Sequence, residues 1–134
     1  MSMDLGCVAA HEFGHVYAAR AGGLRTGEIR ITDRGGHVIV AKPEDGNREQ
    51  VAASQVVDMA GQAALDRWCR ETGQESWDSA TGDRAIFRSV AHLPGAIPMG
   101  TARRRAEAIV NRHWGAIRAH ARSYTPKTQR EESR

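Results

Sequence analysis

Residues Val8 to Ala21 read V-A-A-H-E-F-G-H-V-Y-A-A-R-A, and His11-Glu12-Phe13-Gly14-His15 within them is an H-E-x-x-H motif. The stretch from Asp4 to Ala21 predicts a helix: it is rich in alanine, Asp4 stands where a cap belongs, and Gly22-Gly23 stops it. Residues four apart on a helix share one face. His11 and His15 can therefore approach one ion from the same side, and neutral imidazole suits Zn²⁺. Glu12 lies about 100° around the helix from His11. Its carboxylate falls beside the ion, where it can take a proton from water and deliver it to a leaving amine. With six histidines and nine glutamates in 134 residues, a chance H-E-x-x-H is expected with a probability of roughly 2%. Gly14 costs the helix about 1 kcal/mol relative to alanine, which makes sense if another segment packs close to it. The competing reading is a surface pair of histidines with a glutamate between them.

Working outward, Glu28 to Thr32 alternates around Ile29 and Ile31 and predicts a strand. Asp33-Arg34-Gly35-Gly36 is a turn signal, and His37 to Ala41 is the next strand, so the two form a hairpin. Lys42 to Asn47 reads as a loop. Arg48 to Arg70 predicts a helix, with Val56, Val57, Ala60, Ala64 and Trp68 at helical spacing. Glu71 to Thr81 is turn-like, Asp83 to His92 helical, and Leu93 to Gly100 a loop with two prolines and two glycines. Thr101 to Arg122 reads as one closing helix whose apolar stripe is Ala102, Ala106, Ile109, Val110, His113, Ile117 and Ala121. The expected fold class is α+β and mostly helical, with a small sheet after the histidine helix. Residues 1–122 are expected to form one domain, and 123–134 a disordered basic tail.

Composition narrows the function. The chain is 40% apolar and 26% charged, an ordinary globular balance. No apolar run approaches the ~20 residues of a membrane helix. The first seven residues carry no secretory signal pattern, and no Gly-rich phosphate loop is present. Cys7 and Cys69 lack metal-type spacing, read as buried thiols, and suit a cytoplasmic location. The formal charge is +3, and Thr101 to Arg134 holds nine basic and three acidic residues. Such a basic third could face nucleic acid or an acidic partner. No aromatic interleaving accompanies the arginines, so a solvated helix face is the simpler reading.

Two histidines do not complete a catalytic zinc site, which has three protein ligands. Ala18 and Ala21 occupy the places of the Gly and His of the long metzincin pattern, which excludes that class. Carboxylate candidates for the third ligand are Asp58, Asp66, Glu71, Glu75, Asp78 and Asp83, and spacing does not choose among them.

The stretch Val8 to Ala21 resembles the zinc helix of the FtsH-type peptidases, A-x-H-E-x-G-H-A. Gly27 to Val40 resembles the strand pair that follows it. Val57 to Leu65 resembles the A-G-R-A-A-E helix, and Ser79 to Ala85 (S-A-T-G-D-R-A) the G-A-x-x-D-L segment, whose aspartate is the third zinc ligand. The resemblance covers about residues 5 to 122. It implies a zincin-like metallopeptidase domain holding Zn²⁺ on His11, His15 and Asp83, with Glu12 as the base. Gln62 stands in place of the family's arginine, Leu65-Asp66 in place of its glutamate pair, and Ser79 in place of a glycine. The family's ATPase module and membrane segment have no counterpart in these residues. The expected activity is therefore hydrolysis of flexible or unfolded protein segments, bound as an extra strand on the edge of His37 to Ala41. A separate ATPase or regulatory partner would meet the basic face at Arg104 and Arg112, and an oligomer is compatible. The rival functions are a slow or inactive zincin-like regulatory module and a nucleic-acid-associated protein.

The other histidines receive plainer readings. His37 is expected at the surface, or beside the substrate cleft stabilising an oxyanion. His92, His113 and His120 are expected on packed or solvated helix faces. Trp68, Trp77 and Trp114 are expected as core or semi-buried anchors, with Trp77 also a candidate for a pocket wall.

Overall fold

A computed structural model describes residues 3–125. Its elements are α1 (Leu5–Ala21), β1 (Thr26–Thr32), β2 (Gly35–Val40), α2 (Arg48–Thr72), α3 (Thr81–Ser89), α4 (Met99–Arg112) and α5 (Trp114–Ser123). The chain is mostly helical with one small antiparallel hairpin, an α+β fold. No helix among the described residues is long and apolar enough to cross a membrane.

Local chemistry sets the ends of the two long helices. The Asp4 carboxylate accepts from the Cys7 amide at 3.0 Å and caps α1. Asn47 does the same for α2 through the Gln50 amide. Gly73, at φ 71°, closes α2 in the left-handed conformation that glycine adopts without strain. These helices form the centre of the molecule and approach almost backbone to backbone. A Cβ on Gly14 would lie 2.6 Å from the Ala60 carbonyl oxygen and 2.7 Å from the Ala64 Cβ. Gly14 is the cost of that approach, and Ala10, Ala60 and Ala64 complete a seam of fully buried small residues.

The hairpin pairs Ile29 with Val38 and Ile31 with Gly36 and lies across α1. Ile29, Ile31, Val38 and Val40 pack against the core, while Ile39 faces outward and is exposed. β2 starts two residues before His37 because pairing continues through Gly35 and Gly36, leaving only Asp33 and Arg34 in the turn, and β1 starts at Thr26, opposite Val40, while Ala41 falls outside β2. The sheet has two strands among the described residues, so the outer edge of β2 carries no partner there.

The closing helix is not continuous. The stretch from Thr101 to Arg122 divides at His113, whose ψ of 15° leaves the helical range. The reason is tertiary. α4 packs chiefly on α2, through Ala102, Ala106 and Val110, whereas α5 packs on α1 through Trp114, Ile117 and Ala121. Trp114 anchors the corner: its indole N–H donates to Glu71 at 2.9 Å, and the Arg67 guanidinium covers its ring. The C-terminal boundary also shifts. Ser123 belongs to α5, and Tyr124 packs against the core. The rest of the expected tail, 126–134, lies outside the described residues.

α5 also meets the metal-motif helix at its aromatic side. The His120 ring stacks on Phe13 at 3.9 Å, and its Nε2 lies 3.3 Å from the Tyr17 hydroxyl. Burial, together with the nearby Arg20 charge, holds the His120 pKa below its ordinary value. The folded chain therefore prefers neutral His120. As pH falls through the ordinary histidine value of about 6.5, the unfolded chain takes the proton first and stability declines. Thermal melts from neutral to acidic pH should show a shallower decline for His120→Phe than for the wild type. Parallel profiles would contradict this.

Candidate metal centre

α1 turns His11 and His15 toward α2, and α3 brings Asp83 to meet them. The two imidazole Nε2 atoms are 3.1 Å apart. Asp83 Oδ2 lies 3.2 Å from Nε2 of His11 and 3.3 Å from Nε2 of His15. Glu12 Oε1 stands 3.9 Å from His11 Nε2, and His11, Glu12 and His15 form a group that could hold a metal ion. His15 and Glu12 are buried, and His11 is nearly so.

The hydrogen bonds assign the tautomers. His15 Nδ1 lies 2.7 Å from the Val57 carbonyl, which can only accept, so Nδ1 carries the proton. Ser79 Oγ donates to Gln62 Oε1 at 2.9 Å and therefore accepts from His11 Nδ1 at 2.8 Å. The Gln62 amide is itself oriented. Its nitrogen donates to Asp66 Oδ1 and the Trp77 carbonyl, and its oxygen also accepts from the Ser79 amide. Both Nε2 lone pairs are thus left facing the Asp83 carboxylate. Three acceptors so close together need a positive charge between them, a proton or a metal cation.

The electrostatics agree with that. Burial opposes ionisation of Asp83, but the bonds from His11 and His15 outweigh it and hold its carboxyl well below the usual range. Burial likewise opposes a proton on His15, yet Asp83 overrides it and pushes the pKa up to about 9. Glu12 moves opposite to Asp83. Burial raises its pKa, only partly offset by the two histidines.

Gly61 supplies the space. A Cβ there would stand 2.5 Å from His15 Nε2 and 2.6 Å from His11 Nε2, inside the cradle formed by the donors. Gly36 brings the hairpin onto the same site, since its Cβ would lie 2.9 Å from Glu12 Cγ.

The other carboxylate candidates are engaged elsewhere or stand apart. Asp78 forms a two-pronged pair with Arg84. Asp66 is held by Gln62, Ser76 and Arg103, and Glu71 by Trp114. Glu75 is exposed. Asp58 is buried beside the site and bonds to none of the centre's residues. Asp83 sits in the first turn of α3, where a carboxylate also favours the helix dipole.

The centre opens into a cleft of about 600 Å³ between β2, α2 and α3. His37 is exposed and lines it, as do Val38 and Val40. Trp77 does not line it; the residue is 40% exposed, and its carbonyl accepts from Gln62. Trp77 is thus neither core nor pocket wall, whereas Trp68 and Trp114 are buried.

Gly61 and the Gln62–Ser79 bracket went unrecognised in the sequence as parts of the site. The one signal was that Gln62 and Ser79 both depart from the FtsH-type pattern. In space they are a single feature, because the glutamine oxygen takes both the amide and the hydroxyl of Ser79. Ser79→Ala should weaken metal binding by about 10–100-fold, the usual cost of losing an outer partner of a ligating histidine. Competition with a chelator measures this, and an unchanged affinity would remove Ser79 from the site.

No protein-family model, curated protein or solved structure matches this chain.

Proposed function

We propose that the chain is a zinc metallopeptidase of the FtsH type, hydrolysing peptide bonds in flexible or extended protein segments. The observation that carries this reading is the convergence of His11 Nε2, His15 Nε2 and Asp83 Oδ2 within 3.3 Å of one another, with Glu12 buried alongside. In tetrahedral zinc sites with bonds of ~2.0–2.1 Å, neighbouring donor atoms are separated by about 3.3 Å. The order of histidine helix, hairpin and second helix also suits a zincin-like domain.

A zinc ion at this centre would supply Lewis acidity toward water and toward a peptide carbonyl. The protein's own groups do the rest. Ser79 and the Val57 carbonyl hold the imidazoles in the ligating tautomer. Glu12, buried beside the centre, accepts a proton at its carboxylate and passes it to the leaving nitrogen. The free edge of β2 offers backbone groups to an extended peptide, and His37 stands beside it for a developing negative charge. A folded protein presents few such strands, so unfolded substrates are preferred.

The metal is tested first. Elemental analysis of the isolated protein should find close to one zinc per chain, largely lost in His11→Ala. Undiminished zinc in that variant would overturn the proposal.

A further inference from the structure

Asp58 is 8% exposed, and its Oδ2 is buried without a hydrogen-bond partner among the described residues. A buried carboxylate left unpaired is costly. Among the described residues Asp58 forms no ion pair and caps no helix. Yet it is not sealed in the core. It lines the same cleft as the metal centre, three residues along α2 from Gly61 and four from Ser54, which shares that wall. Burial pushes its pKa up to about 7, only partly offset by the charge of nearby His15.

The rest of the cleft has a consistent character. Its walls are aliphatic, with Val51, Val90, Ile86 and Leu93 among them. Ile86 and Leu93 are exposed and form an apolar lip. Glu44, Asp45, Lys42 and His37 also line it. Glu12 and Asp83 are committed to the centre. An aliphatic cleft with a buried, unpartnered carboxylate in its lining fits an aliphatic arm with a cationic end.

We propose that this cleft binds a basic side chain of the substrate, arginine or lysine, with Asp58 as its counter-ion. Placing that residue next to the cleaved bond rests on the metallopeptidase reading; the cation site itself does not. Asp58 is then the residue that determines specificity.

The test separates the two. ¹H–¹⁵N NMR titration of the full chain, buffered above the Asp58 value of about 7, compares N-acetyl-arginine amide with its neutral isostere N-acetyl-citrulline amide. Arginine should bind at least ~10-fold more tightly, the size of one charge-assisted bond. N-acetyl-lysine amide should follow arginine. Norleucine amide with a free α-amine should do so only if a chain N-terminus is the true ligand. Asp58→Asn should abolish the arginine preference and raise the melting temperature, because it removes an uncompensated charge. A carboxylate serving only the fold would lower it. Equal binding of arginine and citrulline, or a preference that survives in Asp58→Asn, would overturn the proposal. The hydroxamates of the same amino acids report on the metal. If they bind no better than the amides while the arginine preference stands, the metallopeptidase reading fails and the cation site remains. If they bind far better without any preference, the cation site fails and the metal centre remains.

Discussion

Replacing Glu12 with glutamine is expected to leave zinc bound while slowing hydrolysis of an unfolded substrate by about 10²–10⁴-fold. The substitution keeps size and shape, which matters because the side chain is 6% exposed and lies under Gly36 of the hairpin. Nothing in the packing has to move. What disappears is the ability to accept a proton, since an amide oxygen is a far weaker base than a carboxylate. His11 and His15 keep their outer partners, the Ser79 hydroxyl and the Val57 carbonyl, so metal content should match the wild type. Casein cleavage and elemental analysis on the same samples decide the matter. Equal cleavage by both proteins would show that Glu12 is not the base.

Gly61→Ala is expected to abolish stoichiometric zinc binding, a loss of more than about 100-fold in affinity, by displacing the histidines rather than changing a ligand. On helix propensity alone the substitution should stabilise α2 by about 1 kcal/mol. The contact geometry opposes that. The new methyl would stand 2.5 and 2.6 Å from the two Nε2 atoms and 2.7 Å from His15 Cε1. His15 cannot yield, because it is buried and tied to the Val57 carbonyl. Gly115→Ala is the matched control. Gly115 lies in α5, and nothing stands within 4 Å of an added Cβ, so propensity should prevail and metal binding should persist. Zinc titration and thermal melts of both variants test the pair. Normal zinc affinity in Gly61→Ala would mean that the imidazoles do not converge on this glycine.

The features legible in the sequence are those encoded within a few residues. The cap at Asp4, the stop after Ala21 and the four-residue spacing of His11 and His15 are local, and they place both imidazoles on one side of α1. Alternation around Ile29, Ile31 and Val38 marks the hairpin for the same reason, since one face is buried. Helical periodicity from Arg48 finds α2 to within two residues of its end. The apolar stripe from Ala102 to Ala121 likewise names the buried side of the last segment, and most of it is in the core.

Periodicity names a buried face but not the element that covers it, and what depends on that choice belongs to the tertiary structure alone. The stripe runs unbroken through His113, so nothing local announces the corner; the chain bends there because α4 lies on α2 and α5 on α1. Asp83, 72 residues from His11, meets the imidazoles only because α3 packs beside the centre. Six carboxylates were open to that role by spacing, and three-dimensional partners separate them: Arg84 takes Asp78, Arg103 takes Asp66, Trp114 takes Glu71. Gly61 stands in sequence only as part of the Val57 to Leu65 stretch of a long helix. Its meaning lies in the two imidazoles of another helix that fill the space a side chain would need, a close approach no one-dimensional pattern records.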